Sequence, residues 1–427
     1  MKAYRFALRL KPAQQRQLQR WAGALRWIWN RALAEQRARH ARGQPYASYA
    51  DMCKWLTAWR QGAQTAWLAQ GPVHPQQQVL RRLDEAYKRF FQAAKAGLAG
   101  RPGQSGPPSF KKRGLEPGLR FPDPDKFELD AANGRLKLPK LGWVRLRMSC
   151  DVTGVLRNAS LGRDGQRWSV SIQVQSQQTL AALGLQPTLG IDLGLAAFAA
   201  TSQGALVEPL KALAAQQCRL RRYQRALSRK KKGSANRRKA VSKLGRLHAR
   251  IARQRSDWLH KLSTALADQH PVIAIEDLWV KAMSASARGT AQAPGRRVRA
   301  KAGLNRGILD AAWAEFRRQL EYKCAWRGGA VLAVPPAYTS RTCRICGHEA
   351  PDNRRTQSVF ACVACGHTEH ADVHAAKNIL AAGHAVWLAQ ESGPAAACGG
   401  DVSRARPARA GRAAPAKQEP AEETASA

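Results

Sequence analysis

Acidic residues are scarce in this chain. Its 427 residues include 29 Asp and Glu against 71 Lys and Arg, a formal net charge of +42, and between Glu208 and Asp257 there is no acidic residue at all. A cationic surplus of that size repels itself in a compact state unless a polyanion neutralises it. Nucleic acid is therefore the expected partner, and an anionic membrane surface the competing one. Long apolar runs are missing too: none approaches the roughly 20 residues that span a bilayer, so no membrane partner is expected. Nor is there a secretory segment, because Met1-Lys2-Ala3-Tyr4-Arg5 leads into an alternating strand pattern rather than an apolar core. A cytoplasmic location follows as the expectation. Thiols stay reduced there, and paired cysteines read as metal ligands rather than disulfides. What the chain does have is 44% hydrophobic residues, which supports a packed core, and length for two or three domains.

Residues 2–10 alternate and are expected to form a strand. Pro12 opens a helix, a position it tolerates well, with Leu18, Trp21, Leu25 and Ile28 at helical spacing. A second helix follows Pro75, with Val79, Leu83, Tyr87 and Phe90 on one face and Arg81, Arg82, Lys88 and Arg89 on the others. A Gly-, Pro- and charge-rich stretch then carries Phe110 among Lys111, Lys112 and Arg113. Asn133-Gly134 and Asp164-Gly165 mark turns between alternating runs, which predicts a small antiparallel barrel or sheet over about 121–178. The acid-free stretch reads as two helices broken at Gly233-Ser234, with one stripe from Leu220, Tyr223 and Leu227 and another from Val241, Leu244, His248 and Ile251. Their remaining faces are cationic and suited to phosphates. Val272 to Leu278 reads as a buried parallel-type strand. Residues 284–303 read as a mobile loop, 305–327 as one helix, and Ala330 to Val334 as another strand. After about Ser392 the composition shifts to Ala, Arg, Pro and Glu, the signature of disorder.

Two cysteine pairs, Cys343-x2-Cys346 and Cys362-x2-Cys365, have the spacing of a structural zinc site, each turn presenting two thiolates. Cys53, Cys150, Cys218, Cys324 and Cys398 lie singly and read as inert thiols. Three carboxylates stand out against the acid-poor background. Asp192 ends the apolar run Leu189-Gly190-Ile191, Glu276 ends a second one, and Asp372 opens a helix just beyond the cysteines. Strand ends and helix starts converge at one edge of an α/β sheet. Three converging carboxylates can hold two divalent ions about 3.5–4 Å apart for in-line cleavage of a phosphodiester. Hard oxygen donors select Mg²⁺ or Mn²⁺. Each acid has a plainer reading: Asp192 as a turn former, Glu276 as a strand cap in competition with Asp277, Asp372 as an N-cap.

Leu189-Gly190-Ile191-Asp192-Leu193-Gly194, Ile275-Glu276-Asp277-Leu278, the run Leu304 to Asp310 with Trp313 and Phe316, Tyr338-Thr339-Ser340 before Thr342-Cys343, and Cys362-x2-Cys365-Gly366 with Ala371-Asp372 occur in this order. Together they resemble the TnpB family, transposon-encoded OrfB-type proteins similar to type V CRISPR effectors. The resemblance runs to about residue 385 and is most specific from 189 onward. It implies an α/β and α+β multidomain fold: a RuvC-like (RNase H-like) nuclease domain with an inserted zinc ribbon, an N-terminal helical domain and a small antiparallel β-barrel. The implied boundaries are 1–10 for the first strand of the barrel (wedge) domain, 11–120 for the helical recognition domain and 121–183 for the rest of the barrel. The RuvC-like domain then takes 184–337, the ribbon 338–369, the C-terminal part of the RuvC-like domain 370–390, and a disordered tail 391–427.

By the same resemblance, Asp192, Glu276 and Asp372 fall on the catalytic magnesium-binding triad, and Cys343, Cys346, Cys362 and Cys365 on the zinc ligands. The activity implied is RNA-guided DNA cleavage, with a guide RNA from the transposon end, target DNA as partner and a short target-adjacent motif read by the N-terminal regions. His374 departs from the family pattern, which has Asn there more often; His348, His367 and His370 are expected around the ribbon rather than on its metal. Two rival readings remain: a non-cleaving nucleic-acid-binding accessory or guided repressor on the same fold, and a zinc-ribbon transcription or structural protein.

Overall fold

The computed structural model describes residues 1–98, 106–114, 117–164, 167–176, 186–290 and 292–391. Gly165 of the second expected turn and residues 392–427 of the expected tail lie outside them. Strand β1 (Lys2–Arg9) leads into three helices, α1 (Pro12–Ala41), α2 (Tyr49–Gln61) and α3 (Val73–Lys95). Pro12 takes the first helical position of α1, where its missing N–H costs nothing. Ser48 caps α2 in a reciprocal pair with Asp51. Strands β2 (Leu119–Phe121), β3 (Glu128–Asp130), β4 (Arg135–Leu138), β5 (Gly142–Arg147), β6 (Val155–Asp164) and β7 (Arg167–Gln175) complete the unit.

The seven strands form one antiparallel sheet in the order β2-β6-β7-β1-β5-β4-β3. The N-terminal strand is thus its centre, with Phe6 opposite Val170 and Leu8 opposite Leu146. Among the described residues β2 and β3 remain edges, so the expected barrel is an open half-barrel. It also begins at Leu119, ahead of the expected boundary at 121. Leu18, Leu25, Ile28 and Leu33 of α1 and Leu83 of α3 share one core with Phe6, Phe121 and Ile172 of the sheet. Phe110 of the basic loop lies under the Arg37 guanidinium, 4.7 Å from it.

The second unit is built on strands β8 (Leu189–Leu193), β9 (Ala199–Thr201) and β10 (Leu206–Val207), helices α4 (Ala212–Ala215), α5 (Gln217–Ser228) and α6 (Ala235–Gln269), and strand β11 (Val272–Glu276). Helices α7 (Val280–Met283), α8 (Val298–Ala311) and α9 (Trp313–Ala325) and strand β12 (Ala330–Val334) follow. Strands β13 (Val359–Ala361) and β14 (Thr368–His370) and helix α10 (Ala371–Glu391) end it. Its five-stranded sheet runs β10-β9-β8-β11-β12. Strand β11 is parallel to both neighbours and every one of its residues is buried, as an unbroken apolar run requires in a doubly covered sheet.

Three expectations are corrected. The helix expected over 305–327 is two, broken at Ala312, which adopts the left-handed conformation (φ 58); α8 also starts at Val298, inside the stretch read as a loop. The apolar face that α6 turns to α4 and α5 lies on Leu247 and Ile251, packed with Ala212, Leu220 and Tyr223, while Val241 and His248 are exposed. The break between α5 and α6 falls where expected, with Ser234 Oγ accepting the Arg237 N–H at 3.1 Å.

Candidate active site and metal centre

The register of β8 and β11 decides where two of the acids go. Ile191 pairs with Ile275 and Gly190 with Ala274 in parallel. The next residue on each strand is Asp192 and Glu276, so these sit side by side on adjacent strands and point to the same face, because side chains alternate. That face is also the face of Gly190 and Ala274, and helix α10 lies on it. A Cβ added to Gly190 would lie 2.1 Å from the Ala376 carbonyl oxygen and 2.8 Å from Leu380 Cβ. A Cβ on Gly383 would meet Ala274 Cβ at 2.5 Å and Pro187 Cγ at 3.8 Å. Following α10 from Gly383 back to Ala376 thus follows β8 from Pro187 forward to Gly190. The helix runs antiparallel to the strands, and one turn before Ala376, on the same side, stands Asp372. Three acids far apart in sequence share one face at one end of the sheet.

Asp277, the competitor of Glu276, faces away: its Oδ1 accepts from Arg317 Nη1 of α9. Glu276 is only 3% exposed. Thr339, just past β12, puts its hydroxyl 3.4 Å from Glu276 Oε1. Asn378 of α10 donates from Nδ2 to the carbonyls of Thr339 and Thr342 at 2.8 and 2.9 Å. Arg354, from the cysteine-bearing insertion, donates to Asp372 Oδ1 at 3.3 Å. Sequence reading missed Thr339 and Arg354 as partners of the acids, and Asn378 as the clamp on Thr339; only Thr339 carried a signal, as part of the Tyr338-Thr339-Ser340 motif.

The four cysteines converge. Cys343 Sγ is 3.7 Å from Cys365 Sγ, Cys346 Sγ is 3.6 Å from Cys362 Sγ, and all four lie within 4.8 Å of one another. The two turns are built alike. Cys343 N–H donates to the His348 carbonyl and Cys362 N–H to the His367 carbonyl, both at 2.9 Å. Gly347 (φ 75) and Gly366 (φ 71) supply the left-handed step that lets each loop fold around its sulfurs. Four thiolates in this arrangement suit a tetrahedral structural Zn²⁺. The insertion's own core is small: Cys343, Phe360, Cys362 and Ala371.

The histidines stay off those sulfurs. His374 is fully buried and stacks on Phe360 with ring centroids 3.7 Å apart. Its Nε2–H donates to the Thr342 carbonyl at 3.0 Å, and Nδ1 lies 3.3 Å from Glu369 Oε2. Burial would raise the Glu369 carboxyl, but hydrogen bonds from Lys377 and His374 outweigh it and hold it below the usual carboxylate range. The unusual histidine is thus a link between insertion and helix.

Comparison with known proteins settles the relationship. Residues 171–287 match the family described as "Probable transposase", 313–379 match "Cas12f1-like, TNB domain", and 1–45 match "Helix-turn-helix domain". The chain is 46% identical over 422 residues to "Putative RNA-guided DNA endonuclease InsQ" of Escherichia coli, spanning 99% of this chain and 98% of that one. The chain belongs to the TnpB family. A second relative, "Putative RNA-guided DNA endonuclease" of Streptomyces pristinaespiralis, is 34% identical over 99% of this chain and 97% of its own. "CRISPR-associated endodeoxyribonuclease Cas12f1" of Sulfoacidibacillus thermotolerans is 27% identical over half of each chain. In this TnpB-family chain the first 45 residues hold β1 and the single unbroken helix α1, so the segment matched as helix-turn-helix contains no such turn.

Proposed function

We propose that this chain is a transposon-encoded, RNA-guided DNA endonuclease, and that Asp192, Glu276 and Asp372 hold the divalent ions of its RuvC-like cleavage site. The observation that carries the site is the Ile191–Ile275 register, which sets the first two acids side by side under the N-terminal end of α10. Bound Mg²⁺ or Mn²⁺ would supply Lewis-acid charge and lower the pKa of a water, so that it loses a proton more readily and becomes a better nucleophile toward phosphorus. The protein's part is to hold three hard oxygen donors on one rigid edge. The Thr339 hydroxyl, shared between Glu276 and the Pro336 carbonyl, lies beside the Glu276 carboxylate, and Asp277 is kept out of the site by Arg317.

Guide RNA and target DNA account for the charge. Helices α5 and α6 have exposed Arg221, Arg225, Arg246 and Arg250, with no acid between Glu208 and Asp257. Such a surface grips backbone, leaving sequence choice to base pairing and a short adjacent motif. No helix among the described residues is long and apolar enough to cross a membrane. The cytoplasm, where guide transcript and target DNA meet, is the location this reading assigns.

The test is co-expression with RNA transcribed from the flanking DNA, followed by challenge with plasmids carrying a randomised sequence beside the target. Mg²⁺-dependent double-strand cuts are expected, abolished in Asp192→Ala, Glu276→Ala and Asp372→Ala and changed less than about tenfold in Asp277→Asn. Guided binding without cuts in the wild type would establish the non-cleaving reading instead.

A further inference from the structure

Five non-glycine residues have positive φ among the described residues, and Tyr338 (φ 65) is the only aromatic one. A bulky side chain in the left-handed region is strained, and such residues persist where their surroundings over-determine them. Here the surroundings are visible. The Tyr338 carbonyl accepts from the N–H groups of Arg341 and Thr342 at 2.9 and 3.1 Å and from Thr342 Oγ1 at 3.1 Å. The next residue, Thr339, reaches Glu276 with its hydroxyl and is clamped to α10 by Asn378. The backbone around the ring is therefore tied to the acid-bearing edge of the sheet. Tyr338 itself is 56% exposed.

Burial in a core does not explain that ring, and strain in a turn does not require one, since glycine or asparagine would take this φ more cheaply. We propose that Tyr338 is a stacking platform for an unpaired base of the DNA strand held at Asp192, Glu276 and Asp372. Carboxylates and their metal ions can grip a phosphate but offer nothing to the base beside it. A flat ring one residue from the hydroxyl that lies beside Glu276 supplies the missing grip, and stacking tolerates any base, as a guided nuclease requires. Arg341, in the same turn, adds a cation for the neighbouring phosphate. The proposal rests on the endonuclease reading above.

Tyr338→Gly is the informative variant because it removes the ring while favouring the observed backbone. The full chain with its guide RNA is mixed with single-stranded DNA carrying 2-aminopurine, with Ca²⁺ in place of Mg²⁺, and quenching of the probe is read. Cleavage is then measured separately in Mg²⁺. Tyr338→Phe should quench and cut like the wild type. Tyr338→Gly should lose most of the quenching and raise the KM for DNA about tenfold or more. Wild-type behaviour of Tyr338→Gly in both assays overturns the proposal, as does a Tyr338→Phe as weak as the glycine variant, which would assign the role to the hydroxyl. If the wild type never cuts, the endonuclease reading fails by itself, while quenching still decides whether the ring stacks.

Discussion

Gly190 is the point at which a single methyl group should separate the two halves of the site. Its φ lies outside the left-handed region, so Gly190→Ala introduces no backbone strain; the whole effect is steric. The added Cβ would lie 2.1 Å from the Ala376 carbonyl oxygen and 2.8 Å from the Leu380 backbone nitrogen, where ordinary contact begins near 3.4 Å. Both obstacles belong to the backbone of α10, so no side chain can swing aside. The helix must retreat by about 1.3 Å, a shift that close-packed interiors resist. Overpacking of this kind costs about 1–3 kcal/mol of stability. The functional effect should be larger than the loss of stability suggests. Asp372 rides on the retreating helix while Asp192 stays on the strand, and misplacement by about 1 Å can cost 10²-fold in rate. The assay is single-turnover cleavage at saturating Mg²⁺, run alongside urea denaturation on the same preparation. A fall of about 10²-fold with the chain still folded is expected. Cleavage at the wild-type rate by a folded Gly190→Ala would refute the placement of α10, and with it the association of Asp372 with Asp192.

Three further outcomes are expected. Cys343→Ser and Cys362→Ser should each lower bound zinc, read by inductively coupled plasma mass spectrometry, and reduce cleavage; unchanged zinc in both would remove the metal from the four sulfurs. Lys323 is 5% exposed, and burial pushes its ammonium down to about 8. The unfolded chain then keeps a proton that the folded chain has lost between about pH 8 and pH 10.5, so this residue's contribution to stability rises with pH across that window. Urea midpoints at about pH 8 and pH 10 should show the rise in the wild type and a smaller one in Lys323→Met. Replacing Arg221 and Arg246 together by Gln should flatten the dependence of log K on log salt by about 1–2, a little under one for each phosphate no longer neutralised; an unchanged slope would take α5 and α6 off the nucleic acid.

Local chemistry was legible in the sequence, and long-range pairing was not. Pro12, the Asn133-Gly134 turn, the break at Gly233-Ser234 and the unbroken apolar run of β11 each follow from rules acting over a few residues, and each stands where the residues put it. Asp192 and Glu276 could be placed near strand ends for the same reason. That β1 would join strands beginning beyond residue 118 was implied by the family resemblance alone, and that it would be the centre of their sheet follows from nothing near residue 2. Ala312 breaks a helix without the Gly or Pro that would announce it: α8 lies against α4 and α7, while α9 lies against α6 and β12. Phe316 and Trp313 of α9 are buried. The partners of the acids were hidden for a similar reason: Thr339 with Glu276, Arg354 with Asp372 and Arg317 with Asp277 meet between segments that only the folded sheet brings together.

The cysteine insertion bears on the proposed cleavage site through where it returns the chain. Strand β12 ends at Val334 beside Glu276, and α10 begins at Ala371, so everything between must leave the sheet and come back to within one helical turn of the site. Two three-residue strands and a core of four residues are too little to hold such an excursion closed by themselves. A metal on the four sulfurs would close it, and the free energy of binding would then be folding free energy for this segment. The return is registered by polar bonds that reach across the closure: Asn378 to Thr339 and Thr342, His374 to Thr342 and Glu369, Lys377 to Glu369. Each of these lies on α10 within two turns of Asp372. Opening the insertion would therefore release the first turns of α10 before it disturbed β8 or β11, whose pairing is independent of it. A structural ion outside the reaction would in this way fix where the third carboxylate stands, and its loss would silence cutting while most of the fold remained.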